Sequence, residues 1–372
     1  MNSYGIVNAT TRRLARARRP AARIAGPALT MLLLTVAVAV PGPAQGAAIA
    51  ATTASSAGAT WSNLIRRKLT LEADAARLTA LLPTLRSTVT IRNANLLHAQ
   101  RTQWAAVTTV IQANTADQNA RTRYAAARTA AAAVQNAVTA EQKRRPHSNS
   151  RIARATRALT AATAAAQARA VTAGRTASAS KAARAVYTSA THQIITATTA
   201  CQTATKAVSD TEQTIRSWPQ LASALAAQAA ATSEPAVTQT RANFTIAQTT
   251  QVYGITVNKI VAYPLQRMID DAATAGIQLS GGGFRTKQQQ IALRTTNGCP
   301  DVWTAPASSC KVPTAIPGRS LHELGLAIDL SSGQKTITDR KGAAFIWLTA
   351  NAGRYGLVNL PSEPWHWSIT GH

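Results

Sequence analysis

Four side chains near the end of the chain have the types and spacing for hydrolytic chemistry. His322 and Asp329 lie in S-L-H-E-L-G-L-A-I-D at residues 320–329, and Glu363 and His366 lie in E-P-W-H-W at residues 363–367. Two imidazoles and one carboxylate are a frequent ligand set for a catalytic zinc, with the fourth position left to water. Glu363 has the chemistry of a general base acting on that water. Taken singly, each has a plainer reading: a histidine in a strand is more often structural, an aspartate caps turns, and a loop glutamate is often only solvated. Their joint occurrence points to a metal centre.

The spacing dictates what must position them. In a straight strand the seven residues from His322 to Asp329 would span about 23 Å and put the two side chains on opposite faces. The chain must therefore bend between them, and Gly325 supplies the permissive backbone. Residues 326–330 then read as a strand with Leu326, Ile328 and Leu330 on one face and Ala327 and Asp329 on the other. In the second segment Trp365 and Trp367 alternate with His366, so packing the indoles turns the imidazole the other way. Pro364 keeps Glu363 out of a regular ladder. Glu323, next to His322, is expected to point outward.

These segments resemble the zinc-dependent D-alanyl-D-alanine carboxypeptidases of the VanY type, whose pattern S-x-H-x-x-G-x-A-x-D is followed by E-x-W-H. Ser320, His322, Gly325, Ala327, Asp329, Glu363, Trp365 and His366 fill every fixed position. The resemblance implies that His322, Asp329 and His366 bind zinc and that Glu363 is the catalytic base. It also implies an upstream arginine in the setting S-G-[YF]-R-[ST], met by Arg285 within residues 282–286, with a glutamine five residues on at Gln290; Gly282 replaces the serine of that pattern. Arg285 would hold the substrate's terminal carboxylate or brace the oxyanion, with Ser320 and Gln290 as further substrate contacts. The likeness covers about residues 250–372 and implies a small α+β domain with a central antiparallel sheet. The expected substrate is a peptidoglycan stem peptide. An endopeptidase with the same zinc set and a non-catalytic wall-binding scaffold are the alternatives.

The rest of the chain differs sharply in composition. Residues 1–50 have a basic lead from Arg12 to Arg23, an apolar run at 28–40 and small residues beyond it, the layout of an export signal or a retained anchor. That layout implies a secreted or wall- or membrane-associated protein outside the cytoplasm. Residues 51–250 hold 23 basic and 7 acidic side chains, the main source of a formal net charge of +26. Runs of Ala, Gln and Arg with almost no Gly or Pro predict long helices. The turn at 146–150 predicts an antiparallel pair within a helical region at 51–218, with a shorter helix at 61–82 before it. No clean heptad register is evident, and association through the helices is an expected property.

The charge is compatible with a merely solvated helical surface in a chain biased towards Ala and Arg, and equally with anionic partners such as wall polymers or a membrane surface. It does not argue for nucleic acid, because no nucleic-acid-binding motif accompanies it. Prolines 219 and 235 predict a linker at 219–240 ahead of a peptidase domain at 241–372, which should open with a helix over 241–275 and carry a further helix at 287–294. Cys299 and Cys310 bracket a short Pro- and Ser-rich step and are expected to form a disulfide. Cys201 has no evident partner within the chain.

Overall fold

The computed structural model describes residues 56–372. Two long helices lead, α1 (Ala57–Lys143) and α2 (Asn149–Asn243), joined by a short turn that includes Pro146. The Ser56 hydroxyl caps α1 by accepting from the Ala59 amide at 3.1 Å. Side-chain bonds cross between the helices at successive levels: Arg86 to Glu212, Asn93 to Cys201, Gln103 to Thr191, Asn114 to Ser180 and Asp117 to Thr176. As one partner advances the other retreats, so the pair is an antiparallel hairpin. Its buried seam is mostly alanine, at Ala99, Ala106 and Ala120 on α1 and at Ala166, Ala183 and Ala190 on α2. The steps are seven and fourteen residues on α1 but seventeen and seven on α2, so no strict heptad runs through both helices. The seam is built from methyl groups, which let the backbones approach closely.

Two boundaries differ from expectation. Pro83 lies inside α1, which runs unbroken through the residues assigned to a separate short helix. Pro219 and Pro235 lie inside α2, so residues 219–240 are helix and not a linker. A proline inside a helix removes one hydrogen bond and crowds the preceding turn, but ending the helix there would require a new, unfavourable nucleation. Burial of Trp218, Leu225, Ala229, Ala236 and Val237 further favours continuing α2 through this region.

The helix expected over 241–275 is also divided. Beyond α2 come the antiparallel strands β1 (Thr249–Val252) and β2 (Ile255–Asn258), then α3 (Lys259–Thr274). The turn between the strands places Tyr253 and Gly254 at φ 48° and 83°, the left-handed pair that a tight hairpin requires. The β-branched residues Thr249, Thr250, Val252, Ile255, Thr256 and Val257 favour strand over helix here. α3 buries Val261, Leu265, Met268, Ile269 and Ala272.

The main sheet has the order β3 (Leu279–Gly282), β4 (Ala327–Ser332), β7 (His366–Ser368), β6 (Val358–Asn359), with β5 (Lys335–Thr336) also on β4, and every pairing is antiparallel. α4 (Lys287–Thr296) and α5 (Ala343–Asn351) complete the domain. Cys299 and Cys310 are joined by a disulfide. The core packs Leu265, Met268, Leu326, Ile328, Leu330 and Trp367 with Trp61, Ile65 and Leu69 from α1 and Ala229, Ala236 and Val237 from α2. The base of the hairpin is thus part of the same core as the sheet.

Candidate metal centre

Sheet register brings the site together. Asp329 on β4 pairs with Gly282 of β3 on one side and with His366 of β7 on the other. His322 opens a single 3-10 turn, His322–Leu324, which Gly325 ends at φ 67°. A Cβ at Gly325 would lie 2.6 Å from the Asn258 nitrogen, so only glycine fits the bend. Asn258, at the end of β2, holds that turn by donating its amide N–H to the Gly325 carbonyl and its side chain to the Leu324 carbonyl.

Three donor atoms converge. His322 Nε2, His366 Nδ1 and Asp329 Oδ1 are 3.0–3.2 Å from one another. An ion with bonds of about 2.0 Å to tetrahedral ligands has its ligand atoms about 3.3 Å apart, so the triangle is close to one face of such a site. Backbone carbonyls behind the two rings set the tautomers. His322 Nδ1 lies 2.7 Å from the Gly283 carbonyl and His366 Nε2 lies 2.9 Å from the His372 carbonyl. A carbonyl only accepts, so each of those nitrogens carries the proton and the lone pairs of the other two face Asp329. Two lone pairs and a carboxylate oxygen aimed at one point are a donor set that fits a zinc ion.

The electrostatics agree. Burial lowers the pKa of His322 and so favours the neutral, ligating imidazole. Burial acts the same way on His366, but the adjoining Asp329 outweighs it and raises the value; the charge that favours a proton there equally favours a metal ion. Burial would raise Asp329, yet the bonds to His322 and His366 hold its carboxyl far below the usual range. Glu363 is half-buried just before β7, and burial, helped by the negative Asp329, raises its pKa against the opposing pull of His366 and Arg285. Its carboxylate thus feels the charges of Asp329, His366 and Arg285.

Residues 254–372 match the family model of VanY, D-alanyl-D-alanine carboxypeptidase. They form a VanY-type domain. The chain is also 28% identical over 124 residues to a protein of Enterococcus faecalis named D-alanyl-D-alanine carboxypeptidase, a match covering 29% of this chain and 46% of that protein. The chain therefore spans less than half the length of that relative, and the family match begins beyond the helical hairpin.

Within the VanY domain the remaining candidate residues take different places. Arg285 Nη2 donates to Asp329 Oδ2 at 3.0 Å, which puts the guanidinium at the edge of the cluster. Ser320 Oγ accepts from the His322 amide at 3.3 Å and so supports the ligand turn. Gln290 is 1% exposed and donates to the Ala315 carbonyl, holding the loop that leads to Ser320. Glu323 does not point free into solvent; its carboxylate accepts from the amides of Gly318 and Ser320. Sequence reasoning missed this brace, and it missed the carbonyls of Gly283 and His372, since backbone atoms leave no mark in a motif. Cys201 bonds through Sγ to Asn93 on the facing helix.

Proposed function

We propose that this chain is an exported zinc metallopeptidase that removes the terminal D-alanine from peptidoglycan stem peptides. The supporting observation is the convergence of two histidine lone pairs and one carboxylate oxygen, with their tautomers set by backbone carbonyls, beside a half-buried glutamate in a VanY-type domain. His322, Asp329 and His366 would hold the zinc, whose role when bound is to polarise the scissile carbonyl and to lower the pKa of a bound water to about 7.

The protein's own groups do the rest. Glu363 takes the proton of the attacking water as the carbon–oxygen bond forms, then gives it to the amide nitrogen as the carbon–nitrogen bond breaks. Its raised pKa brings it nearer neutrality, where one group can both accept and return a proton. Arg285 is anchored through one nitrogen on Asp329; its remaining N–H groups are offered to the carboxylate of the terminal D-alanine or to the developing oxyanion. Ser320 and Gln290 keep the approaching loop in place around that substrate end.

Location outside the cytoplasm belongs to this proposal, because the substrate is found there. The export signal read at residues 1–50 lies outside the described residues, and no helix among the described residues is long and apolar enough to cross a membrane. The test is release of D-alanine from a muramyl pentapeptide by the mature protein, with and without a chelator and beside E363A. Release that survives either treatment rejects the assignment. Cleavage of cross-linked dimers without cleavage of the free pentapeptide would make it an endopeptidase instead.

A further inference from the structure

Every acidic side chain among the described residues of the hairpin is already engaged. Glu72 meets Lys68 and Arg354, Asp74 meets Arg77, Asp117 meets Arg121, and Glu141 meets Arg144 and Arg151. Asp210 meets Lys206, Glu212 meets Arg86 and Arg216, and Glu234 meets His372. The positive excess that remains is concentrated at one end. Beyond the level marked by the Asp117–Thr176 bond, residues 118–175 hold 11 basic side chains and one acid, Glu141. The remainder of the hairpin is more than twice as long and holds 12 basic and 6 acidic side chains. Sequence order hides this, because only the turn after α1 lays the two halves of the distal segment side by side.

The distal segment is a rod about 40 Å long with roughly one net positive charge every 4 Å. Ten of its 11 basic residues are arginine, and all but the half-buried Arg151 are exposed. Arg123 and Arg169, with Asn119 and Thr172, edge a cleft of about 280 Å³ between the helices at Ala116 and Ala120. Neither of these two guanidiniums is in an ion pair among the described residues.

We propose that residues 118–175 are a docking surface for an extended polyanion carrying phosphate groups along its backbone. Guanidinium forks match phosphate oxygens in a two-bond geometry that an ammonium lacks, and spaced arginines along a rod suit a chain of spaced charges. A lipid surface fits less well, since helices that lie on membranes present large apolar side chains. The exposed Leu97, Trp104 and Ile111 are all outside this segment, and Val171 is its one strongly exposed large apolar residue. A second copy of the same surface would be repelled. The segment begins about 75 Å along α1 from Leu69, the last residue of that helix in the shared core, against a screening length of about 8 Å, so a polymer docked there leaves the candidate metal centre electrostatically untouched.

The test uses the full chain and a poly(glycerol phosphate) probe. Binding is measured across a salt series for the unaltered protein and for a distal variant, R123Q with R128Q, R154Q, R157Q and R169Q. A third protein carries the same loss of charge elsewhere on the hairpin, R67Q with R77Q, R101Q, K181Q and R216Q. The distal variant should bind at least about tenfold more weakly and with a flatter dependence of log K on log salt, by the counterion argument. The third protein should keep most of its affinity, and all three should hydrolyse a short free stem peptide equally. Circular dichroism checks the helices, and R123Q with R169Q alone reads the cleft if the five-site variant loses structure. Equal losses in the two charge variants, or no binding at all, would overturn the proposal. So would tighter binding to phosphatidylglycerol vesicles or to duplex DNA than to the polymer.

Discussion

Arg241, in the last turn of α2, donates from its guanidinium to the carbonyls of Gly318 at 2.5 Å and Arg319 at 3.2 Å. The same loop is held from its other side by Glu323, which accepts from the Gly318 and Ser320 amides, and Ser320 in turn accepts from the amide of His322, one of the three proposed metal ligands. A helix outside the family match thereby braces the turn that carries His322 inside it. R241A should loosen the loop without touching substrate, lowering kcat about tenfold while KM stays near its starting value, and weakening retention of zinc against a chelator. R241K should restore only part of this, since a single ammonium on a flexible stem lacks the rigid planar fork whose two nitrogens reach the two carbonyls. A variant with unchanged metal retention and unchanged kcat would show the brace to be idle.

The role given to Glu363 predicts both a size and a pH direction. E363Q keeps the shape of the side chain but cannot accept the proton, so kcat should fall by about 10²–10⁴ while zinc content stays the same. In the unaltered enzyme the base must be ionised. Burial has raised its pKa, so activity should be lost as pH falls through a point above the ordinary carboxylate range. A pH–rate profile of kcat/KM reads that limb directly, and a limb at the usual carboxylate value would remove the case for a desolvated base.

Metal removal should be visible without any assay of activity. A ligand bound to the folded state alone at a hundredfold its Kd adds about 2.7 kcal/mol of stability. Zinc added to chelator-treated protein should therefore raise Tm, and the rise should be absent in D329N. That substitution replaces the charge on which both histidines converge and that Arg285 also engages. Zinc measured by elemental analysis should fall from one per chain to a small fraction in the variant.

Much of the site was readable because its geometry is local and depends on residue type. The bend between His322 and Asp329 needs a residue at positive φ, and Gly325 provides it; the alternation around His366 sets the direction of the imidazole. What was not readable has physical causes. Val252, Ile255 and Ile260 are also compatible with a helical stripe, so the Tyr253–Gly254 hairpin was hidden inside an apparent helix. Pro219 and Pro235 are local stop signals overruled by packing farther away. The outer carbonyls of Gly283 and His372 act through the backbone, and no choice of side chain announces them.

The hairpin cannot be a detachable appendage, because its base is part of the peptidase core. Trp61 and Ile65 of α1 are each 1% exposed, and a Cβ placed on Gly356 would lie 2.7 Å from either side chain. Lys68 adds a bond to the Arg354 carbonyl one turn farther along. Full burial of a large apolar side chain is worth about 1.5–3 kcal/mol. Losing Trp61, Ile65 and Leu69 together would thus remove an amount comparable to the 5–15 kcal/mol that holds a typical domain folded. A fragment limited to residues 254–372 should fail to give a cooperative thermal transition, and W61A in the full chain should cost about 3–5 kcal/mol. Replacing residues 118–175 by a short turn should leave the unfolding of the peptidase core unchanged, since that segment lies far from it. A stable, zinc-binding fragment of residues 254–372 would show instead that the long helices merely rest against a domain complete without them.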